Sequence, residues 1–293
     1  MPWFDGIFTN ASGLALATLS SAPLDAITKQ TQVVVCLHGW LDNAATFGPL
    51  QNEIDKQDLK SDLVWVCVDF PGHGWSQHRS ADTVYHHTDY VMDIASALAM
   101  SGWQNIVLVG HSMGGIVGAS VCTLVPDIIT HFVSIEAFGP LQSPASETVS
   151  QMQKALDARI AKVNKTVTQP TSLERLYQAK MQAGKLTYEH AKCLVDRNVT
   201  KDSNGNPMWR TDPRLRMPST FRMTPEQAQD IMMHIRCPVT FIRGDQGFTR
   251  IPEQYGQRQT WLSVPNEMHV LQGNHYVHMQ QPKQILAVLQ NLL

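Results

Sequence analysis

Apolar positions along the chain fall into two rhythms that alternate. Short, largely β-branched runs at residues 33–37, 63–68, 106–109, 132–135, 239–242 and 268–271 have the pattern of strands buried on both faces. Between them, residues 44–57, 90–100, 113–125 and 283–293 repeat apolar side chains at helical spacing; in the last of these Ile285, Leu286, Leu289 and Leu292 share a face. This alternation predicts the α/β class: a mostly parallel sheet with helices on both faces, and reacting groups in loops at the carboxyl ends of the strands. Residues 13–20 add a candidate antiparallel edge.

From residue 140 to 233 the rhythm stops. Helical patterns occupy 148–163, 172–183, 188–196 and 225–234, a polar turn lies at 202–207, and no run there reads as a strand. So long an insertion predicts a core of residues 1–139 and 234–293 and a helical cap of residues 140–233, inserted after the sixth strand and covering the carboxyl end of the sheet. A separate helical interaction module is the alternative. Leu176, Tyr177, Trp209 and Met217 could line a pocket or join cap to core. Arg210, Arg214 and Arg216 fit surface charge or ion pairing with Asp212 better than recognition of a carboxylate.

The strand at 106–109 runs into Gly110-His111-Ser112-Met113-Gly114-Gly115 and then a helical pattern. Gly-x-Ser-x-Gly at a strand-to-helix turn holds a serine out of the sheet on a strained backbone, and small residues let strand and helix approach. Ser112 is therefore the candidate nucleophile. A serine hydroxyl needs a base, expected after the last strand, where residues 273–278 carry His275 and His278. His275, beside the Gly-Asn turn, is preferred; His278 falls one turn into the next helix. The oxyanion needs N–H donors, predicted as the amides of Met113 and of Trp40 in His38-Gly39-Trp40. His38 reads as a buried turn-fixing residue.

The chain has 293 residues, 43% of them hydrophobic, which suffices for a full core. Lys+Arg of 23 against Asp+Glu of 25 gives a net charge of −2, so no basic field favours nucleic acid or an anionic membrane. Five cysteines without CxxC spacing fit a reduced cytoplasm. The first basic residue is Lys29, so residues 14–19 lack the charged region of a secretory signal, and no apolar run reaches the roughly 20 residues of a membrane helix. His86, His87 and Asp89 do not make a metal site, because adjacent helical residues point apart. The expectation is a soluble cytoplasmic monomer or homodimer, without metal or cofactor, acting on a small-molecule ester.

From about residue 33 to the C-terminus these motifs, together with residues 69–76 (Asp-Phe-Pro-Gly-His-Gly-Trp-Ser), resemble the α/β-hydrolase superfamily. Residues 197–199 (Arg-Asn-Val) and 209–216 (Trp-Arg-Thr-Asp-Pro-Arg-Leu-Arg) resemble its serine hydrolase-like, Kraken-type group. The resemblance implies that Asp69, His73 and Ser76 are structural. Many members carry the triad acid in a Gly-x-x-Asp arrangement after the strand at 239–242. Here that register reads Gly244-Asp245-Gln246-Gly247, so a glycine stands where the acid is expected. Glu136, in a Glu-x-x-x-Pro segment, resembles the relocated acid of some haloalkane dehalogenases and is assigned to orient His275; Asp245 is the alternative. A serine nucleophile implies an acyl-enzyme and ester hydrolysis, where dehalogenases and epoxide hydrolases attack with a carboxylate. Lactonase, thioesterase or carbon–carbon bond hydrolysis would use the same residues, and a hydrolase-fold protein that only binds a small molecule is a further reading.

Overall fold

The computed structural model describes residues 3–59, 63–162 and 172–293. Its main sheet contains β1 (Phe4–Thr9), β2 (Ala15–Ser20), β3 (Val33–Leu37), β4 (Val64–Val68), β5 (Ile106–His111), β6 (Ile129–Ile135), β9 (Val239–Gly244) and β10 (Asn266–Leu271). The order across the sheet is β1-β2-β4-β3-β5-β6-β9-β10. Pairing is parallel from β4 to β10, and β1 and β2 close one edge as antiparallel strands. The expected edge at 13–20 is β2. Its partner β1 escapes the apolar pattern because Phe8 is its one buried side chain.

Alternation within the strands sorts side chains between two cores. Val33, Val35 and Leu37 of β3 and Ile106 and Leu108 of β5 point to one face, while Val34 and Cys36, and Val107 and Val109, point to the other. The first face is covered by α2 (His87–Ser101) and α3 (Met113–Leu124), the second by α1 (Gly48–Lys56), α9 (Val277–Gln280) and α10 (Pro282–Gln290). The pattern at 44–57 begins as a 3₁₀ turn, Ala44–Phe47, and becomes α-helical at Gly48, with Pro49 in the first helical turn. α8 (Ile251–Arg258) follows β9 and sets Tyr255 edge-on against Phe241 of β9 and Phe138.

Between β6 and β9 the chain forms α4 (Thr148–Lys162), α5 (Leu173–Gly184), α6 (Tyr188–Asn198) and α7 (Pro225–Met233). Residues 163–171 of this insertion, including the end of the helix expected at 148–163, lie outside the described residues. One expectation is corrected: the insertion does contain strands, β7 (Val199–Lys201) and β8 (Pro207–Trp209), paired as a hairpin. Three residues per strand are too few to show alternation. The turn between them is set by Asp202, whose Oδ1 accepts the Asn204 and Asn206 N–H groups at 2.8 Å.

A buried ion pair ties the insertion to the sheet. Arg197 of α6 donates from Nε to Asp69 Oδ2 at 2.9 Å, and Asp69 also accepts the Ala44 and Trp75 N–H groups. Burial pushes the Asp69 carboxyl up, and the guanidinium and amides oppose it. The Arg197 and Arg210 guanidinium groups lie 5.5 and 5.0 Å from the Trp75 ring centre. Arg197→Ala would strand a buried carboxylate, so unfolding in urea should show a loss of about 3–5 kcal/mol. A loss under about 1 kcal/mol would mean that the pair is no anchor.

Candidate active site

The sequence elements singled out above converge at the carboxyl edge of the sheet. Ser112 lies between β5 and α3 with φ 51° and ψ −115°, a conformation that L residues rarely adopt. Its N–H is held by the Ile135 carbonyl at 2.8 Å, and its own carbonyl accepts the Ile116 N–H. A Cβ on Gly114 would collide with the Leu37 carbonyl, so α3 can start against the end of β3 only with glycine there. That contact sets the loop carrying Trp40 against the helix N-terminus, where the Met113 N–H is free of any intrahelical partner. The Trp40 ring is half exposed, and its Nε1 donates to the Leu215 carbonyl of the insertion at 3.0 Å.

Glu136 directly follows β6 and also has a positive φ, 54°. Its N–H donates to the Ile242 carbonyl, which turns the side chain toward β9. The buried carboxylate accepts N–H bonds from Gly244 at 2.8 Å and Phe248 at 2.9 Å, and the His275 Nδ1–H donates to its Oε2 at 3.2 Å. Asp245 is exposed and accepts the Gly273 N–H at 2.9 Å, so it braces the loop leading to His275 without meeting the ring. The geometry therefore pairs His275 with Glu136.

The glycine in the usual acid position has a structural role in this arrangement. A Cβ on Gly247 would overlap Glu136 Oε1, so the Glu136 carboxylate occupies space that any side chain at 247 would claim. Gly247→Ala should displace Glu136 and lower kcat for a cleaved ester roughly 100-fold. Unchanged kinetics would mean that Glu136 does not need its present position.

His278 and His38, the other two histidines weighed from the sequence, are fixed by hydrogen bonds and kept neutral by burial. His278 accepts or donates at Nε2 with Thr46 Oγ1 at 2.8 Å in the second core, and burial lowers it to about 3. His38 donates from Nδ1 to the Gly39 carbonyl and accepts the Phe70 N–H at Nε2, a fully buried turn brace that burial also lowers to about 3. His73 and Ser76 bond backbone carbonyls of Pro71 and Asp69.

Several contributors were not singled out from the sequence. His111 donates from Nε2 to the His275 carbonyl at 2.8 Å, its ring centre 4.7 Å from that of His275; burial, then His278 and His275, hold it far below its ordinary value. Phe248 covers the His275 ring with centres 4.0 Å apart. Asp42, just past Trp40, meets Lys180 of α5 at 2.5 Å and the Tyr276 hydroxyl at 3.2 Å. Burial works against the Lys180 charge, but Asp42 and Tyr276 hold the ammonium above its ordinary range. Asp42, the one acid in the loop between β3 and α1, is the signal that could have found this link.

Two cavities open here. A cleft of about 600 Å³ contains Ser112, Glu136, the loop after β6 and the start of α8. A larger, mainly apolar cavity of about 830 Å³ lies between Leu41 and the insertion, lined by Leu176, Trp209 and Met217. Tyr177 instead bonds Asp196 at 2.6 Å. Arg214 is bound to Asp212 and to the carbonyls of Arg79, Ser80 and Thr83, and Arg210 donates to the Gly74 carbonyl, so both are committed to structure. Arg216 lines the larger cavity.

A family model described as alpha/beta hydrolase fold matches residues 32–282. A serine hydrolase-like protein of Danio rerio is 26% identical over 272 residues, covering 89% of this chain and 81% of the relative. Among solved structures, a hypothetical protein of Pseudomonas aeruginosa is 29% identical, with a TM-score of 0.82 and coverage of 98% of this chain and 97% of the other. The thioesterase domain from the curacin biosynthetic pathway has a TM-score of 0.81 at 20% identity, covering 99% and 100%, a likeness of fold. Among the described residues, no helix is long and apolar enough to cross a membrane.

Proposed function

Because the chain belongs to the α/β hydrolase fold family, we propose that it is a serine hydrolase of carboxylic esters that works through an acyl-enzyme. The observation that carries this reading is the His275–Glu136 pair on the loop backed by His111, the immediate neighbour of Ser112. Ser112 Oγ attacks the ester carbonyl while His275 Nε2 takes its proton. The Met113 and Trp40 N–H groups receive the oxyanion. The tetrahedral intermediate collapses, the C–O bond breaks, and the alcohol leaves with the proton from His275. Water then gives a proton to His275 as it attacks the acyl carbon; the bond from that carbon to Ser112 Oγ breaks, Oγ takes the proton back from His275, and the acid leaves. Glu136 keeps His275 in the Nδ1–H tautomer and stabilises the imidazolium.

In this reading α4–α6 and the β7–β8 hairpin form the lid. α7 is seated on the core, since its Met232 is buried in the first core and lies against Gly139. The large apolar cavity under the lid supports an acyl or alcohol group of small to medium size. Five free cysteines fit the reduced cytoplasm expected from the sequence.

A panel of p-nitrophenyl esters of increasing acyl length tests the proposal. Turnover of at least one member, blocked by a fluorophosphonate, is expected. Absence of turnover across the panel, with no labelling, would favour a binding protein.

A further inference from the structure

The cleft that contains Ser112 is rich in guanidinium groups. Arg258, at the end of α8, is 3% exposed and lines it. Its Nη1 donates to the carbonyls of Phe138 at 2.7 Å and Pro140 at 3.1 Å, and it lies over the Trp261 ring at 5.4 Å. These partners satisfy donors without cancelling charge, and the buried Nε has no hydrogen-bond partner. Among the described residues no carboxylate pairs with Arg258, nor with Arg222 or Arg250, which line the same cleft from two segments distant in sequence.

Two carboxylates oppose them. Glu136 faces His275 and two amides, and Glu253 is held by the Gln257 side-chain amide at 3.3 Å. The cleft thus has an excess of positive charge in a chain whose net charge is −2. A positive charge in a low-dielectric wall is poorly screened and concentrates anions. Arg222 and Arg250 are exposed, and planar guanidinium forks match the two oxygens of an oxyacid.

We infer that the Ser112 cleft selects substrates bearing an anionic oxyacid group, a carboxylate or a phosphate, near the cleaved bond, with Arg222 and Arg250 contacting the anion and Arg258 supplying its field. This rests on the serine hydrolase reading and narrows its substrate class.

Two matched ester pairs test it, one charged on each side of the cleaved bond: p-nitrophenyl hydrogen glutarate against p-nitrophenyl pentanoate, and the butyrate ester of glycolate against ethyl butyrate. In at least one pair the anionic member should be preferred about tenfold or more in kcat/KM, as charge-assisted bonds predict. In the Arg222→Gln/Arg250→Gln double variant that ratio should fall toward unity, through KM more than kcat. Turnover with no preference in either pair, or a preference that the double variant retains, overturns the inference and leaves the hydrolase reading standing. If neither charged nor neutral esters are cleaved, that reading fails, and calorimetry with glutarate and with propyl phosphate decides this one. Binding of either that the double variant loses supports it and tells carboxylate from phosphate; binding of neither, or binding that the double variant retains, overturns it.

Discussion

Glu136→Gln should lower kcat by about 10³–10⁴-fold while KM changes little, the scale expected when the group that orients a catalytic imidazole loses its charge. Every bond to this carboxylate comes from a donor: the Gly244 and Phe248 N–H groups and His275 Nδ1. An amide of the same shape must turn its NH₂ toward at least one donor, and it offers no charge to the imidazolium. His275 then loses either its tautomer or its orientation, and substrate contacts elsewhere stay. Asp245→Asn breaks no contact with the ring and removes only charge from the Gly273 bond, so an effect under about tenfold is expected. Steady-state kinetics on a cleaved p-nitrophenyl ester compares the two variants. If Asp245→Asn is crippling and Glu136→Gln is mild, the acid is reassigned.

Ser112→Ala should have the larger effect, a fall in kcat on the order of 10⁶-fold together with loss of fluorophosphonate labelling. The N–H donors of Met113 and Trp40 survive this change, so a residual rate roughly 10³–10⁴-fold above water is expected. The variant should fold, because the positive φ at 112 is no harder for alanine than for serine and the backbone bonds to Ile135 and Ile116 do not use the hydroxyl. A variant that folds and retains substantial turnover would point to another nucleophile.

The legible parts of the fold are those where burial acts on a local period. β3 is recognised because both faces of Val33–Leu37 are buried, leaving an unbroken apolar run. β1 is missed because it is the outer edge strand, with five of its six residues at least partly exposed. The hairpin β7–β8 is missed because its backbone pairing and the Asp202 turn decide it, with no buried side chain among its strand residues.

The candidate site divides in the same way. Ser112 is legible because its strained turn demands small neighbours at fixed offsets, and that demand is written as a motif. The nearness of Glu136 to His275 is legible from a missing side chain at 247 and an acid at the end of the preceding strand, since parallel neighbours in register carry their ends to one edge. The Asp69–Arg197 pair, 128 positions apart, and the arginines around the Ser112 cleft depend on how the insertion and α8 settle, which no local spacing encodes.

The most direct measurement is an acid quench during turnover of a p-nitrophenyl ester, followed by mass analysis of intact protein and of its peptides. A covalent Ser112 pathway predicts one acyl group per modified chain, located on the peptide carrying residues 110–115, with a release of p-nitrophenol that precedes acid release. Steady turnover with Ser112 unmodified at every time, or an acyl group on a different residue, would contradict it.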